Sequence, residues 1–323
     1  MKVGIVGCGL VGRKRAAAMG AHALALVADT DAARARALAE ATGARATSSW
    51  RDVVNSDVDI VVVATRHDTL AEIGLAAVVA GKHTLIEKPA GRRAAELLPI
   101  KQASERNGAK VKVGYNHRFH PALLRARELV DEGVLGPLMY VRGRYGHGGR
   151  RGMEHEWRCQ EELSGGGELI DQGVHLIDLA RWFLGELRLD YGATPTSYWP
   201  IAVDDNCFLA LRGAGGEMAW LHASWSEWKN MFSFEIYGRD GKLAVEGLGG
   251  SYGLERLTFH RMLPQMGPPE TKSWEFPAPD RSWELEFEEF VRAIEEDRKP
   301  LADISDGCAA LKLVDEVYAR GVR

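Results

Sequence analysis

The residue types best suited to chemistry sit in one stretch, Ser164 to Asp178, which reads SGGGELIDQGVHLID. Its apolar residues Ile170, Val174 and Ile177, with Leu184 further on, recur at helical spacing. On a helix of about 3.6 residues per turn, Asp171, His175 and Asp178 share one stripe with Trp182 beneath them. A carboxylate one turn from an imidazole can fix its tautomer and raise its basicity, which is what a general acid/base needs. An ordinary amphipathic helix could show the same polar face. The glycines at its start argue for more, because without Cβ atoms they let another backbone or a flat ligand ring come close. A metal site from Asp171, His175 and Asp178 would need further ligands that the sequence does not single out, so no metal is expected.

A second group of this kind is Glu87-Lys88-Pro89. It follows Thr84-Leu85-Ile86, a buried strand that runs straight into the charged pair. In an open α/β sheet, ligands bind beyond the carboxyl ends of the strands. Pro89 keeps Lys88 extended and permits a cis bond, so the ammonium can be aimed.

The third is Gly7-Cys8-Gly9-Leu10-Val11-Gly12, directly after the β-rich run Lys2–Val6 and before a helix-like segment, 13–19. Here the first glycine permits the turn, the second lets backbone approach a pyrophosphate, and the third lets helix pack on strand. The next strand, 24–28, ends at Asp29, where an acidic residue meets the ribose hydroxyls. A carboxylate there repels a 2′-phosphate, so NAD is favoured over NADP, although Arg13, Lys14 and Arg34 are near in sequence.

The elements that must position these groups alternate. Thr30 and Asp31 can cap a helix that ends before Gly43. Residues 60–64 read as a central parallel strand, 70–80 as a helix closed by Gly81, and 92–107 and 110–114 as a last helix and strand. At 323 residues two domains are expected, and 46% hydrophobic with 27% charged residues describes an ordinary globular chain. A net charge of −4 provides no basic footprint for nucleic acid or anionic membrane. No run is apolar enough to span a bilayer, Met1 leads directly into the first strand, and the four dispersed cysteines form no C-x-x-C pair. A cytoplasmic protein is expected.

The glycine loop, Asp29, Glu87-Lys88-Pro89 and the later GGG-x-x-x-D-x-G-x-H-x-x-D together resemble the glucose–fructose oxidoreductase / inositol dehydrogenase / MocA family over essentially the whole chain. The resemblance implies an NAD(H)-dependent oxidoreductase that interconverts a secondary alcohol and a ketone on a cyclic polyol, sugar or sugar derivative. It implies a catalytic set of Lys88, Asp171 and His175. The cofactor contacts would be Gly7, Cys8, Gly9, Leu10, Val11, Gly12, Asp29, Thr65, Glu87 and Lys88. Substrate contacts would be Asn116, Arg158, Asp171 and His175. A lyase or glycosidase that retains NAD would use the same residues, whereas a non-catalytic nucleotide sensor needs neither Lys88 nor His175. One departure is visible: where the family often reads Thr-Pro-x-x-x-His, this chain has Thr65-Arg66-His67-Asp68-Thr69-Leu70.

The expected fold is an N-terminal Rossmann domain, residues 1–118, and a C-terminal α+β domain, residues 119–323, with a large, mainly antiparallel open sheet. Tyr115-Asn116-His117-Arg118-Phe119 marks the crossover. A helix at 122–132 and a strand at 139–145 precede the irregular stretch 146–163, which contains His147, His155, Trp157 and Arg158 and is a candidate substrate lid. Strands are expected at 187–199, 205–211, 217–225, 232–237 and 242–246. A proline-rich connection then covers 264–279, and helices follow at 283–296 and 307–319. Trp220, Trp225, Trp228 and Phe232 suggest that the open sheet face forms a homo-oligomer, dimer or tetramer.

Overall fold

The computed structural model describes residues 1–277 and 279–320, so the last three residues of the expected second domain lie outside it. The chain divides into two compact units. One comprises Met1–Tyr115, Glu162–Gly165 and Trp283–Lys312; the other comprises Asn116–Glu161, Gly166–Ser282 and the chain from Leu313 onward. A C-terminal segment, Trp283–Lys312, thus groups with the first unit.

The first unit holds six parallel strands: Lys2–Val6 (β1), Ala23–Ala28 (β2), Arg45–Thr47 (β3), Ile60–Val63 (β4), His83–Ile86 (β5) and Val111–Val113 (β6). Their order is β3-β2-β1-β4-β5-β6, the doubly wound order whose direction reverses between β1 and β4. The helices between them are Leu10–Ala17 (α1), Ala32–Thr42 (α2), Trp50–Val54 (α3), His67–Val79 (α4) and Ala94–Asn107 (α5). Asp31 caps α2 by accepting from the N–H groups of Ala33 and Arg34, and left-handed Gly43 ends it. β4 is buried on both faces, as its unbroken apolar run requires. β3 and α3 were not expected from the sequence. β3 is three residues long and largely exposed at the sheet edge, so it has no apolar pattern to read.

The returning segment belongs here because of its core contacts. Phe287, Phe290 and Val291 of the helix Ser282–Glu295 are buried with Val3, Ile5, Val27, Ile60 and Leu85. Each such side chain contributes roughly 1.5–3 kcal/mol by leaving water.

The second unit is built on eight strands: Leu138–Gly146 (β7), Leu187–Ala193 (β8), Asn206–Gly213 (β9), Met218–Ser224 (β10), Met231–Gly238 (β11), Gly241–Glu246 (β12), Glu255–Arg261 (β13) and Glu270–Phe276 (β14). The order is β14-β13-β12-β11-β7-β10-β9-β8, with β7 and β10 parallel and the other pairs antiparallel. β14 lies inside the stretch expected to be a proline-rich connection; its residues are mostly exposed on an edge strand. Residues 194–199 leave the expected long strand after Ala193.

One sheet face is covered by a helix, Val174–Leu184. Its Leu176 reaches Gly143 of β7, where an added Cβ would lie 3.2 Å from the Leu176 side chain. Ala219, Leu221 and Ala223 point to this buried face. Trp220, Tyr140 and Phe208 point the other way and are exposed. The expected aromatic cluster on the open face is corrected in part. Phe232 is buried, and Trp225 lies in a core cluster with Met153, Cys159 and Val203; Trp220 and Trp228 remain exposed. The stretch 146–163 is therefore packed through Met153 and Cys159, and it forms two short 3-10 turns, Met153–His155 and Trp157–Cys159. Among the described residues no helix is long and apolar enough to cross a membrane.

Candidate active site

The residues expected to do chemistry fall in both units, and each set is built by its own surroundings. In the first unit the glycine loop leads into α1. Gly12 must lack a side chain, because a Cβ there would lie 1.8 Å from the Gly7 carbonyl oxygen. A Cβ on Gly9, by contrast, would meet nothing within 4 Å, so the loop is open where a ligand would approach. No side chain caps α1 and no acidic residue stands in its first turn, which suits an anionic group at its N-terminus. The contribution of Cys8 is its backbone: its N–H donates to Asp29 Oδ2 at 2.7 Å, while burial pushes its thiol up to about 12. Asp29 Oδ1 accepts from the Asp31 N–H at 2.8 Å. The carboxylate at the end of β2 thus ties the loop to the second strand. The open Gly9, the uncapped α1 and the placed Asp29 fit a dinucleotide.

Thr65, at the end of β4, accepts from the Thr69 hydroxyl at 2.9 Å. His67 opens α4 and is buried; its Nδ1–H donates to the Ser164 carbonyl at 2.8 Å. The His that departs from the usual family pattern therefore anchors the start of the glycine run.

Glu87 is followed by a tight turn: the Ala90 N–H donates to the Glu87 carbonyl at 2.9 Å, the Lys88–Pro89 bond is cis, and buried Ala90 sits at φ 73. A non-glycine residue held left-handed and buried stores strain that the surroundings must impose. Part of that hold is an ion network between residues far apart in the sequence. Arg15 of α1, with its side chain 1% exposed, places Nε 2.5 Å from Glu87 Oε1 and Nη1 2.5 Å from Glu286 Oε2. Its guanidinium lies 4.4 Å from the Trp283 ring centroid, and a Cβ on Gly114 would come within 2.7 Å of Nη2. Burial pushes the Glu286 carboxyl up, and Arg15 and Lys112 pull it back. So Glu87, expected to touch cofactor, here pairs with Arg15. A signal for Arg15 existed: it lies three residues from Gly12, on the buried side of α1.

In the second unit Asp171 and His175 are not on one regular α-helix. Leu169–Gly173 is a π-turn that runs into Val174–Leu184. The extra residue in that turn re-aims Asp171 relative to His175, and π-turns of this kind are common at functional sites. The glycines before it admit the protein's own groups. A Cβ on Gly166 would lie 2.1 Å from the Tyr318 hydroxyl, and one on Gly167 would lie 1.9 Å from the Asp204 carbonyl oxygen.

Asp204 holds the turn. Its Oδ1 accepts from the Gly167 N–H at 2.9 Å and the Tyr318 hydroxyl at 2.9 Å, and its Oδ2 accepts from the Leu169 N–H at 2.7 Å. Burial raises the Asp204 carboxyl to about 6 against the pull of these donors. Neither Asp204 nor Tyr318 carries a local sequence signal, since each lies far along the chain from the turn.

Asp178, assigned to the same stripe, pairs with Arg118: Nε lies 2.8 Å from Oδ2 and Nη2 lies 2.6 Å from Oδ1, with both side chains buried. Trp182 lies 5.8 Å from that guanidinium. His175 is buried, and its Nδ1 lies 2.6 Å from Nδ1 of His117. Asp171 Oδ2 lies 3.4 Å from Arg158 Nε, so the structure brings together two of the expected substrate residues. Asn116 is buried and its Nδ2 donates to Ser282 Oγ at 2.9 Å. Among the described residues no group of three or more His, Cys, Asp or Glu is arranged to hold a metal ion.

The open glycine loop with Asp29 at the end of β2 has the form of an oxidoreductase's dinucleotide-binding domain, and the comparisons agree. Residues 1–115 match the family model described as oxidoreductase family, NAD-binding Rossmann fold, and residues 123–244 match the Gfo/Idh/MocA C-terminal domain. The chain belongs to the Gfo/Idh/MocA family, and its first unit is an NAD-binding Rossmann domain. Levoglucosan dehydrogenase from Pseudarthrobacter phenanthrenivorans is 28% identical over 285 residues, 75% of this chain and 73% of that protein. Inositol 2-dehydrogenase from Rhizobium meliloti is 27% identical over 330 residues, 98% of this chain and 95% of that one. A solved levoglucosan dehydrogenase in complex with NADH and levoglucosan shares the fold, with a TM-score of 0.90 at 24% identity over 99% of this chain and 96% of that one.

Proposed function

We propose that the protein interconverts a secondary alcohol and a ketone on a cyclic polyol, sugar or sugar derivative, using NAD(H). The observation that carries this reading is the placement of His175: a buried imidazole next to a π-turn that bears Asp171, in a chain whose other unit has a cofactor loop. The cofactor, when bound, takes up or returns the hydride. The residues of the chain manage the proton and the charge. His175 takes the hydroxyl proton, Lys88 stabilises the oxygen as it gains negative charge, and Asp171 binds a neighbouring hydroxyl and tunes His175. Arg158, within reach of Asp171, and Asn116 bind substrate. Kinship to levoglucosan and inositol dehydrogenases supports a cyclic, polyhydroxylated substrate.

Asp29 supports NAD over NADP, since its carboxylate would face a 2′-phosphate. Trp220, Tyr140 and Phe208, exposed on one sheet face, support a homo-oligomer of two or four chains. Light scattering at micromolar concentration should then show more than a monomer; a monomer removes that part.

The test of the reaction is NADH absorbance across cyclic polyols, anhydrosugars and free pyranoses. A substrate-dependent rise in NADH is expected. Product formed with no net NADH would instead mean a cofactor-retaining lyase or glycosidase.

A further inference from the structure

We infer that His117 is a positioning residue that fixes the tautomer of His175. The two Nδ1 atoms lie 2.6 Å apart, and the rings meet edge to face with centroids 3.8 Å apart and planes at 65°. At that separation two N–H groups would collide and two lone pairs would repel, so the contact holds one proton: one ring donates and the other accepts. Both rings are buried, at 4% and 5% exposure, and His117 is walled by Tyr145 at 5.1 Å and Phe232 at 5.9 Å between centroids. Bulk water therefore does not take the place of either partner at this contact.

The direction of the bond has a chemical consequence. If His175 Nδ1 accepted, the ring's own proton would sit on Nε2, and Nε2 could not remove a proton from a hydroxyl. If His175 Nδ1–H donates to His117, Nε2 carries the lone pair. The substrate O–H bond then breaks as an Nε2–H bond forms, His175 becomes imidazolium, and the Nδ1–H···Nδ1 bond to neutral His117 persists and strengthens. The direction assigned to the bond rests on the reading of His175 as the base.

The first measurement is the His175 tautomer by nitrogen-15 NMR on histidine-labelled full-length protein, saturated with NAD, near neutral pH. Protonation at Nδ1 is the expected result; protonation at Nε2 overturns the inference. The second is kinetic. His117→Phe keeps an aromatic ring but removes the acceptor, whereas His117→Asn supplies a carbonyl that can accept from Nδ1–H. His117→Phe should lower kcat by roughly 10–100-fold, the worth of one hydrogen bond to a group that becomes charged, and leave the Kd for NAD unchanged. His117→Asn should recover part of that loss. Equal loss in both variants, or no loss in His117→Phe, contradicts the inference. A failure of the base reading looks different: His175→Asn would then keep near-normal turnover, while the wild-type tautomer would still report on His117 directly.

Discussion

The two chemistry-bearing segments are held by opposite means. The Glu87-Lys88-Pro89 turn is fixed through side chains, with Arg15 bridging Glu87 and Glu286 in a site closed to solvent. The Asp171 turn is fixed through its backbone, with the N–H groups of Gly167 and Leu169 gathered on Asp204. An ion bridge between side chains depends on keeping all its charges together. A carboxylate that gathers backbone donors depends on its own protonation. The first should fail by mutation at any pH, the second by titration.

The largest expected effect follows from the first mode. Arg15→Met fills much the same space but removes the cation that bridges Glu87 and Glu286, and loss of one partner of a buried bridge costs about 3–5 kcal/mol. Urea unfolding should show it. A loss below about 1 kcal/mol would mean that Trp283 and the packing around α1, not the charges, hold the turn.

The second mode predicts a pH signature. With a folded value of about 6, Asp204 holds its proton more tightly in the folded chain than in the unfolded one, where about 3.9 is ordinary. Its contribution to stability is therefore greatest below about pH 4 and is lost as pH rises through 6, by roughly 3 kcal/mol in all. Asp204→Asn should flatten the stability curve over that window. Parallel curves for wild type and variant would assign the slope to other groups.

The smallest effect concerns Asp29, whose carboxylate holds the glycine loop and, in the proposed reading, faces the cofactor. Asp29→Ser should cost about 1 kcal/mol through the bond to the Cys8 N–H, and should narrow the difference between NAD and NADP in thermal shift. Equal shifts by the two cofactors in the wild type would remove the specificity argument.

The same contrast explains what could be read from the sequence. Buried parallel strands such as β4 announce themselves by unbroken apolar runs, and alternation in β10 separated Ala219 and Leu221 from Trp220 correctly. The Gly-rich loop and Asp29 were legible because their spacing is local. Edge strands β3 and β14 were not, because exposure removes their pattern. The π-turn was invisible to a 3.6-residue period, and Asp178, on the helix after it, looked like a member of the reactive stripe because its partner Arg118 lies 60 residues away in the chain. Arg15 and Glu286 lie 271 residues apart, and only the fold brings them together. His117 stood in a segment recognised as a crossover, with nothing in its neighbours to point to His175.

The central claim is that His175 is the base, and turnover of His175→Asn tests it most directly once an active substrate is in hand. The account predicts unchanged NAD affinity and fold, a fall in kcat of roughly 10²–10⁴-fold, and loss of the limb by which alcohol oxidation rises with pH in the wild type. Near-normal turnover, or a pH limb that survives the substitution, would contradict it and move the proton transfer to Lys88 or another group.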